Sequence, residues 1–315
     1  GGWQKSNLSN QNFNYNKESH YERISDQRTE IKSKKDIEEI TTDGLKELSD
    51  TLLSCYQEKN ELEIEVVRAK SRLKASRILL AFSYLFIIGF FMKWFKQNID
   101  DKKEYLEDVE KQLAECYVNI DIKTDKQIEE SFLELLDNYK TLLSCQKIWD
   151  ITSTSKIDKV TTRSAVSESL TRRPVEFGFG NLDILKSKFD SLHFENANAG
   201  DLFIYPAFVT IINSDKKFGL IDIREIELEF SSQKYLEKED VPSDSSVVEN
   251  TWAKVNKDGS RDKRFKHNYQ IPICLYGKIE IKSKTGLNEA YCFSNHEKAK
   301  QFFQAFKAYQ KNIGK

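Results

Sequence analysis

Arg77-Ile-Leu-Leu-Ala-Phe-Ser-Tyr-Leu-Phe-Ile-Ile-Gly-Phe-Phe-Met-Lys93-Trp-Phe-Lys96 is the stretch on which the reading of this chain turns. No charge interrupts it between Arg77 and Lys93. Counted with Ala75, Ser76, Trp94 and Phe95, it reaches the roughly 20 residues that cross a hydrocarbon layer of about 30 Å at 1.5 Å per residue. A transmembrane helix is therefore predicted over 76–95. Arg72, Lys74 and Arg77 on one flank and Lys93 and Lys96 on the other can snorkel to the interface, where Trp94 is also placed. The alternative is a helix buried in a water-soluble core. Uniform apolarity with cations at both ends fits lipid better.

Upstream, Leu45, Leu48, Leu52, Cys55, Lys59, Leu62 and Val66 alternate in steps of three and four, which predicts a coiled-coil helix over 41–75 with Lys59 as the polar break. Residues 1–40 open with Asn, Ser, Gln and Lys, too polar to offset the entropy of ordering, and read as a disordered tail. Downstream, Leu106, Val109, Leu113, Cys116 and Ile120, then Ile128, Phe132, Leu135, Leu136, Tyr139 and Leu142, mark a helical segment over 99–150. A Ser/Thr-rich linker over 151–180 follows, with Pro174 and the Gly178/Gly180 pair as breakers.

The last part, 181–315, opens with a helical spacing at Leu182, Leu185, Phe189 and Leu192 and then changes to strands. Leu202–Ile212 and Phe218–Phe230 form one pair around a turn at Ser214–Lys217; Ile271–Ile281 and Glu289–Phe293 form another across 284–287. A closing helix presents Ala299, Phe302, Phe303, Phe306 and Tyr309 on one face. The fold class expected is thus an α+β membrane protein: N-terminal coiled-coil helices and one transmembrane helix, then a small antiparallel β domain capped by a C-terminal helix. In layout, 201–310 resembles a pleckstrin-homology-like or GRAM-like domain, with 231–270 as a long insertion outside that pattern.

The insertion concentrates Trp252, Lys254, Lys257, Arg261, Lys263, Arg264, Phe265, Lys266, His267 and Tyr269. Cations interleaved with aromatics suit a phosphate backbone with stacked bases, or a lipid head group. A solvated loop whose charges serve solubility is the competing reading. With 49 basic and 50 acidic residues, any attraction to anions must be local. The five cysteines show no CxxC pair, and the histidines at 20, 193, 267 and 296 show no metal-ligand spacing, so free thiols in a reducing compartment, no metal and no cofactor are expected. No GxSxG, Walker-type loop or HExxH is present, and a non-enzymatic role is expected. Asp262 with Glu280 and Lys282 could mimic the acidic set of a metal-dependent nuclease; charges on a solvent face explain it more simply.

A span flanked by helices and followed by a sensing domain is similar, in outline, to the small ligand-gated transmembrane effectors of bacterial antiphage systems. That resemblance implies a homo-oligomeric ion channel, a tetramer or larger, gated by a nucleotide or short oligonucleotide. Ser83, Tyr84 and Gly89 would face its pore. The bacterial inner membrane, with a cytoplasmic C-terminal domain, is the expected location. The alternative is a membrane-tethered scaffold whose C-terminal domain binds a protein, peptide or lipid head group.

Overall fold

The computed structural model describes residues 28–33, 35–85, 92–120, 125–156, 168–256 and 258–314. Two long helices, α1 (Lys46–Leu85) and α2 (Met92–Glu115), lie antiparallel. Tyr105 Oη donates to Glu65 at 3.1 Å, Lys102 Nζ donates to Ser76 Oγ at 2.6 Å, and Lys70 pairs with Glu110 at 2.9 Å. Val66, Ala69 and Leu73 of α1 are buried against Leu106 and Val109 of α2.

This hairpin overturns the predicted transmembrane helix. Residues 86–91 of the apolar stretch lie outside the described residues; on either side of them the chain runs in two antiparallel helices, and the eight described residues of α1 from Ile78 to Leu85 rise only about 12 Å, against roughly 30 Å for a hydrocarbon layer. Among the described residues no helix is long and apolar enough to cross a membrane. The membrane fold class, the inner-membrane location and the ion-channel reading fall with it. So do the roles given to its residues. Ser83 is buried and its hydroxyl donates to the Leu80 carbonyl at 2.7 Å, while Tyr84 is exposed; Gly89 lies outside the described residues. Arg72 pairs with Glu65, and Lys74, Arg77, Lys93, Trp94 and Lys96 are exposed on the two helices.

The predicted coiled coil is also unsupported. Its seam is satisfied within the chain: Leu52 is buried with Tyr205, Phe218 and Leu220 of the β domain, Leu45, Leu48 and Cys55 pack around them, and Val66 faces α2. Lys59, the polar break, donates to the Asp183 carbonyl at 3.3 Å. At the base of the hairpin Cys55 and Cys116 bring their sulfurs to 3.9 Å. Mild oxidation with diamide is expected to join them within one chain, giving faster migration on a non-reducing gel; failure to cross-link would contradict the antiparallel pairing.

Beyond the hairpin, a main sheet contains β1 (Arg28–Glu30), β3 (Ile148–Lys156), β4 (Glu168–Pro174), β11 (Ile226–Leu236), β12 (Ser246–Trp252), β13 (Gln270–Ser283) and β14 (Asn288–Phe293). Its path is β4-β3-β14-β13-β11, with β1 on β3 and β12 on β13. A second sheet runs β5 (Phe177–Gly180), β7 (Ser191–Phe194), β8 (Asp201–Ile204), β9 (Phe208–Ile212) and β10 (Phe218–Asp222), all antiparallel. Short β2 (Val118–Ile120) and β6 (Leu185–Ser187) pair in parallel. The turns expected at 214–217 and 284–287 join β9 to β10 and β13 to β14; the second uses Gly286 at φ +126°, a conformation that L side chains rarely adopt. Strands replace the expected linker over part of 151–180 and the expected helix over 182–192: β-branched and aromatic side chains there pack onto neighbouring strands, and tertiary contacts override local spacing.

One core serves both sheets. Helix α3 (Lys126–Leu143) supplies Phe132, Leu135, Tyr139 and Leu142, and the C-terminal helix α4 (His296–Ile313) supplies Ala299, Phe302, Phe306 and Tyr309. Tyr139 Oη donates to the His193 carbonyl at 2.5 Å and Tyr309 Oη to the Pro206 carbonyl at 2.7 Å, so each buried phenol is satisfied. The segment before α1 is a strap across this domain. Ile40 is fully buried, and the Thr42 N–H donates to the Leu220 carbonyl at 2.8 Å.

Candidate functional site

The loop between β12 and β13 carries most of the residues singled out from the sequence, and the structure folds it into a compact lobe. Trp252 and Gln270 close the ladder, and the Ala253 N–H donates to the Tyr269 carbonyl at 2.9 Å. Buried Asn268 braces the lobe from within: its Oδ1 accepts the Lys254 N–H at 2.9 Å, and its Nδ2 donates to the carbonyls of Lys254 (2.6 Å) and Asp262 (3.2 Å). The tip turns on Asp258-Gly259-Ser260, with Gly259 at φ +82° and Asp258 Oδ1 accepting from the Ser260 N–H and hydroxyl at 3.0 and 2.6 Å. These bonds brace the described backbone of the lobe at its base and on either side of Gly259. An ordered loop loses less entropy on binding than a disordered one.

Within that frame the predicted residues divide. Arg264 is committed to Asp262, with Nη2 at 2.6 Å from the carboxylate, and the Arg261 guanidinium sits 4.8 Å from the Trp252 ring. Lys254 lies 5.8 Å from the Phe265 ring. Lys263, Lys266 and His267 are exposed, and so are Phe265 (46% exposed) and Tyr269 (63% exposed) in the same loop. Lys257 lies outside the described residues. Sequence reasoning passed over Asn268, an uncharged residue whose bracing role no spacing signals, while Phe265 belongs to the cluster read from the sequence, inside the Arg261–Lys266 cation run.

The acidic set Asp262, Glu280 and Lys282 is not brought together. Asp262 is held in the loop by Arg264, whereas Glu280, further along β13, is clamped by Lys278 and Lys282 at 2.5 Å each. Carboxylates neutralised by cations in this way are poor ligands for a metal. Among the described residues no group of three or more His, Cys, Asp or Glu side chains could hold a metal ion.

A second polar centre is buried under the strap. Asp150 on β3 and Glu289 on β14 are both shielded from solvent. Glu289 Oε1 accepts from the Ser33 N–H (3.2 Å) and hydroxyl (2.8 Å), and its Oε2 accepts from Asn196 Nδ2 at 2.9 Å. Asp150 Oδ2 accepts the Ala197 N–H at 3.0 Å, while its Oδ1 has no partner among the described residues. Burial pushes Glu289 up to about 7, with the nearby Asp150 adding to the effect, and pushes Asp150 up to about 6. Neither residue stands out in the sequence. A carboxylate inside Ile148-Trp-Asp-Ile151 is the one hint.

Comparison with protein-family models, curated proteins and solved structures finds no match for this chain. The pleckstrin-homology-like layout and the antiphage likeness are therefore without support from any relative.

Proposed function

We propose that this chain is a non-enzymatic binding protein whose β domain presents the 252–269 loop to a polyanion, a short single-stranded oligonucleotide or a nucleotide. The observation that carries the reading is the pairing of three outward cationic or titratable groups, Lys263, Lys266 and His267, with two exposed rings, Phe265 and Tyr269, on a loop braced by Asn268. Phosphates are met by the lysines, and base faces stack on the rings. The protein's overall charge supplies no competing attraction, so the affinity resides in the loop.

The test is fluorescence anisotropy of a labelled single-stranded oligonucleotide titrated with the full chain at several salt concentrations. Lys263→Glu with Lys266→Glu is expected to weaken binding by at least about tenfold and to flatten the dependence of log K on log salt. Tyr269→Ala is expected to cost about 1–3 kcal/mol of binding without altering that slope. Affinity unchanged by all three substitutions would sink the reading.

A scaffold that docks an extended peptide is the second reading. It is favoured by β12, which among the described residues pairs with β13 alone and exposes Val247 and Val248.

A further inference from the structure

Helix α1 is apolar on two opposite faces. Advancing 100° per residue, Val66, Ala69 and Leu73 fall on the side that α2 covers. Asn60, Ile64, Val67, Ser71, Ile78 and Phe82 fall on the other, in steps of three and four residues broken only between Ser71 and Ile78, where Lys74 and Ala75 fill the gap. That second stripe is in solvent: Ile64 is 52%, Val67 65%, Ile78 48% and Phe82 55% exposed. Exposed apolar side chains aligned in this way mark a contact surface.

The charges beside the stripe identify what covers it. Glu58, Glu61, Glu63 and Glu65, with Lys59 as the one cation among them, precede Val67; Arg68, Lys70, Arg72, Lys74 and Arg77 follow it. The helix therefore carries an acidic half and a basic half, hinged at its most exposed stripe residue. Among the described residues Glu61 and Glu63 make no ion pair, and the pairs of Arg68 and Arg72 with Glu65, at 3.6 and 3.2 Å, lie at the surface. Such a helix is complementary to itself when reversed.

We propose that α1 pairs antiparallel with α1 of a second copy of this chain, about a two-fold axis at Val67. In that register Glu63 meets Lys70 and Glu61 meets Arg72, each cation adding a second carboxylate to the surface pair it makes with Glu110 or Glu65 of its own chain, and the polar stripe members Asn60 and Lys74 face each other. Ile64 packs over the small Ser71, and the pairing ends short of Leu53 and Tyr56, which pack on their own β domain. The two α2 helices remain on the outside, so the dimer is a layer of four helices with a β domain at each end. A parallel pairing would set Lys74 on Lys74 and basic half on basic half. The pairing uses the face opposite the hairpin seam and does not involve the 252–269 loop, so it stands or falls independently of the anion-binding reading.

The test is sedimentation velocity of the full chain across a concentration series. A monomer–dimer equilibrium is expected. Val67→Glu, which places two carboxylates on the axis, is expected to weaken the dimer at least tenfold while the circular dichroism melt stays unchanged, because Val67 contributes nothing to the monomer core. Orientation is read from a pair of variants. Asn60→Lys alone should weaken the dimer by opposing Lys74, and adding Lys74→Glu in the same chain should restore it. In a parallel dimer the double variant would remain weak, and that result would overturn the proposal. A monomer at every concentration would also overturn it, and a monomer that co-sediments with phosphatidylglycerol vesicles would assign the stripe to lipid instead.

Discussion

Replacing Glu237 by alanine will lower the unfolding free energy by about 3–5 kcal/mol. Glu237 follows the end of β11, and Arg172 lies on β4, at the opposite end of the sheet path. In a flat sheet strands four places apart would be about 19 Å from one another. Yet Arg172 Nη2 donates to both carboxylate oxygens of Glu237, at 2.9 and 2.7 Å, so the sheet is curled until its two ends meet. The guanidinium enters between the rings of Trp149 and Tyr235, 4.0 Å from each centroid, and Tyr276 Oη donates to Glu237 at 2.6 Å. Both ionised side chains are nearly excluded from solvent, at 7% and 1% exposure.

Burial alone would push the Glu237 carboxyl up. The Tyr276 hydroxyl and the Arg172 guanidinium more than reverse that and hold it below the usual carboxylate range. Truncating Glu237 leaves a buried cation whose Nη1 already has no partner among the described residues. Removing both charges together, as Arg172→Met with Glu237→Leu and Tyr276→Phe, should cost much less, because no uncompensated group remains. Urea denaturation of the three proteins checks this. A loss under about 1 kcal/mol for Glu237→Ala would show that water reaches the cage on the timescale of unfolding.

Asp150→Asn will act in the opposite direction, and only above mildly acidic pH. The Asp150 carboxyl is raised to about 6 by burial, against the pull of the Ala197 N–H and the Arg173 charge. In the unfolded chain it titrates near 4. Below that value both states hold the proton and the site costs nothing. As pH rises from about 4 to 6 the unfolded chain releases its proton first, and the fold loses stability; above 6 the full cost of a buried charge persists. At about 1.4 kcal/mol per pH unit this amounts to roughly 2–3 kcal/mol. Glu289, raised to about 7, extends the same loss to pH 7. An asparagine keeps an oxygen for the Ala197 N–H and removes the charge. The variant should therefore be about 2–3 kcal/mol more stable than the parent at pH 8 and equal to it at pH 4. A gain of the same size at both pH values would show that packing, and not ionisation, is responsible.

How far the molecule could be read beforehand varies with the range of the interactions involved. The amphipathic spacing of Phe132, Leu135, Tyr139 and Leu142, and that of Ala299, Phe302, Phe306 and Tyr309, points directly to the faces that α3 and α4 bury, because each periodicity is set within a few turns. The strand pairs around 214–217 and 284–287 are local for the same reason. The apolar segment misled because hydropathy records composition and not direction: a run of about twenty residues reads alike whether one helix traverses it or two antiparallel helices share it. β3 and β4 escaped notice since Ser, Thr and single charges dominate them, and their stability derives from pairing with one another and from Arg172. The 252–269 lobe was legible as a cluster of residue types. Which of its cations remain available depended on Asp262, Trp252 and Asn268, whose contacts no spacing rule specifies.

The strap imposes an order of events on the living cell. Ser33 leaves the ribosome long before its acceptor Glu289, from which it is separated by 256 residues. At about 5–20 residues per second, that gap amounts to roughly 13–50 s of translation. Until residues 205–220 are made the seam of α1 has no β domain to enter, whereas α1 and α2 can already zip together. The hairpin can thus form before the strap has its partners. The strap, made earlier than β14, is seated in full only once β14 is present, and a nascent chain halted before β14 would expose it to proteases.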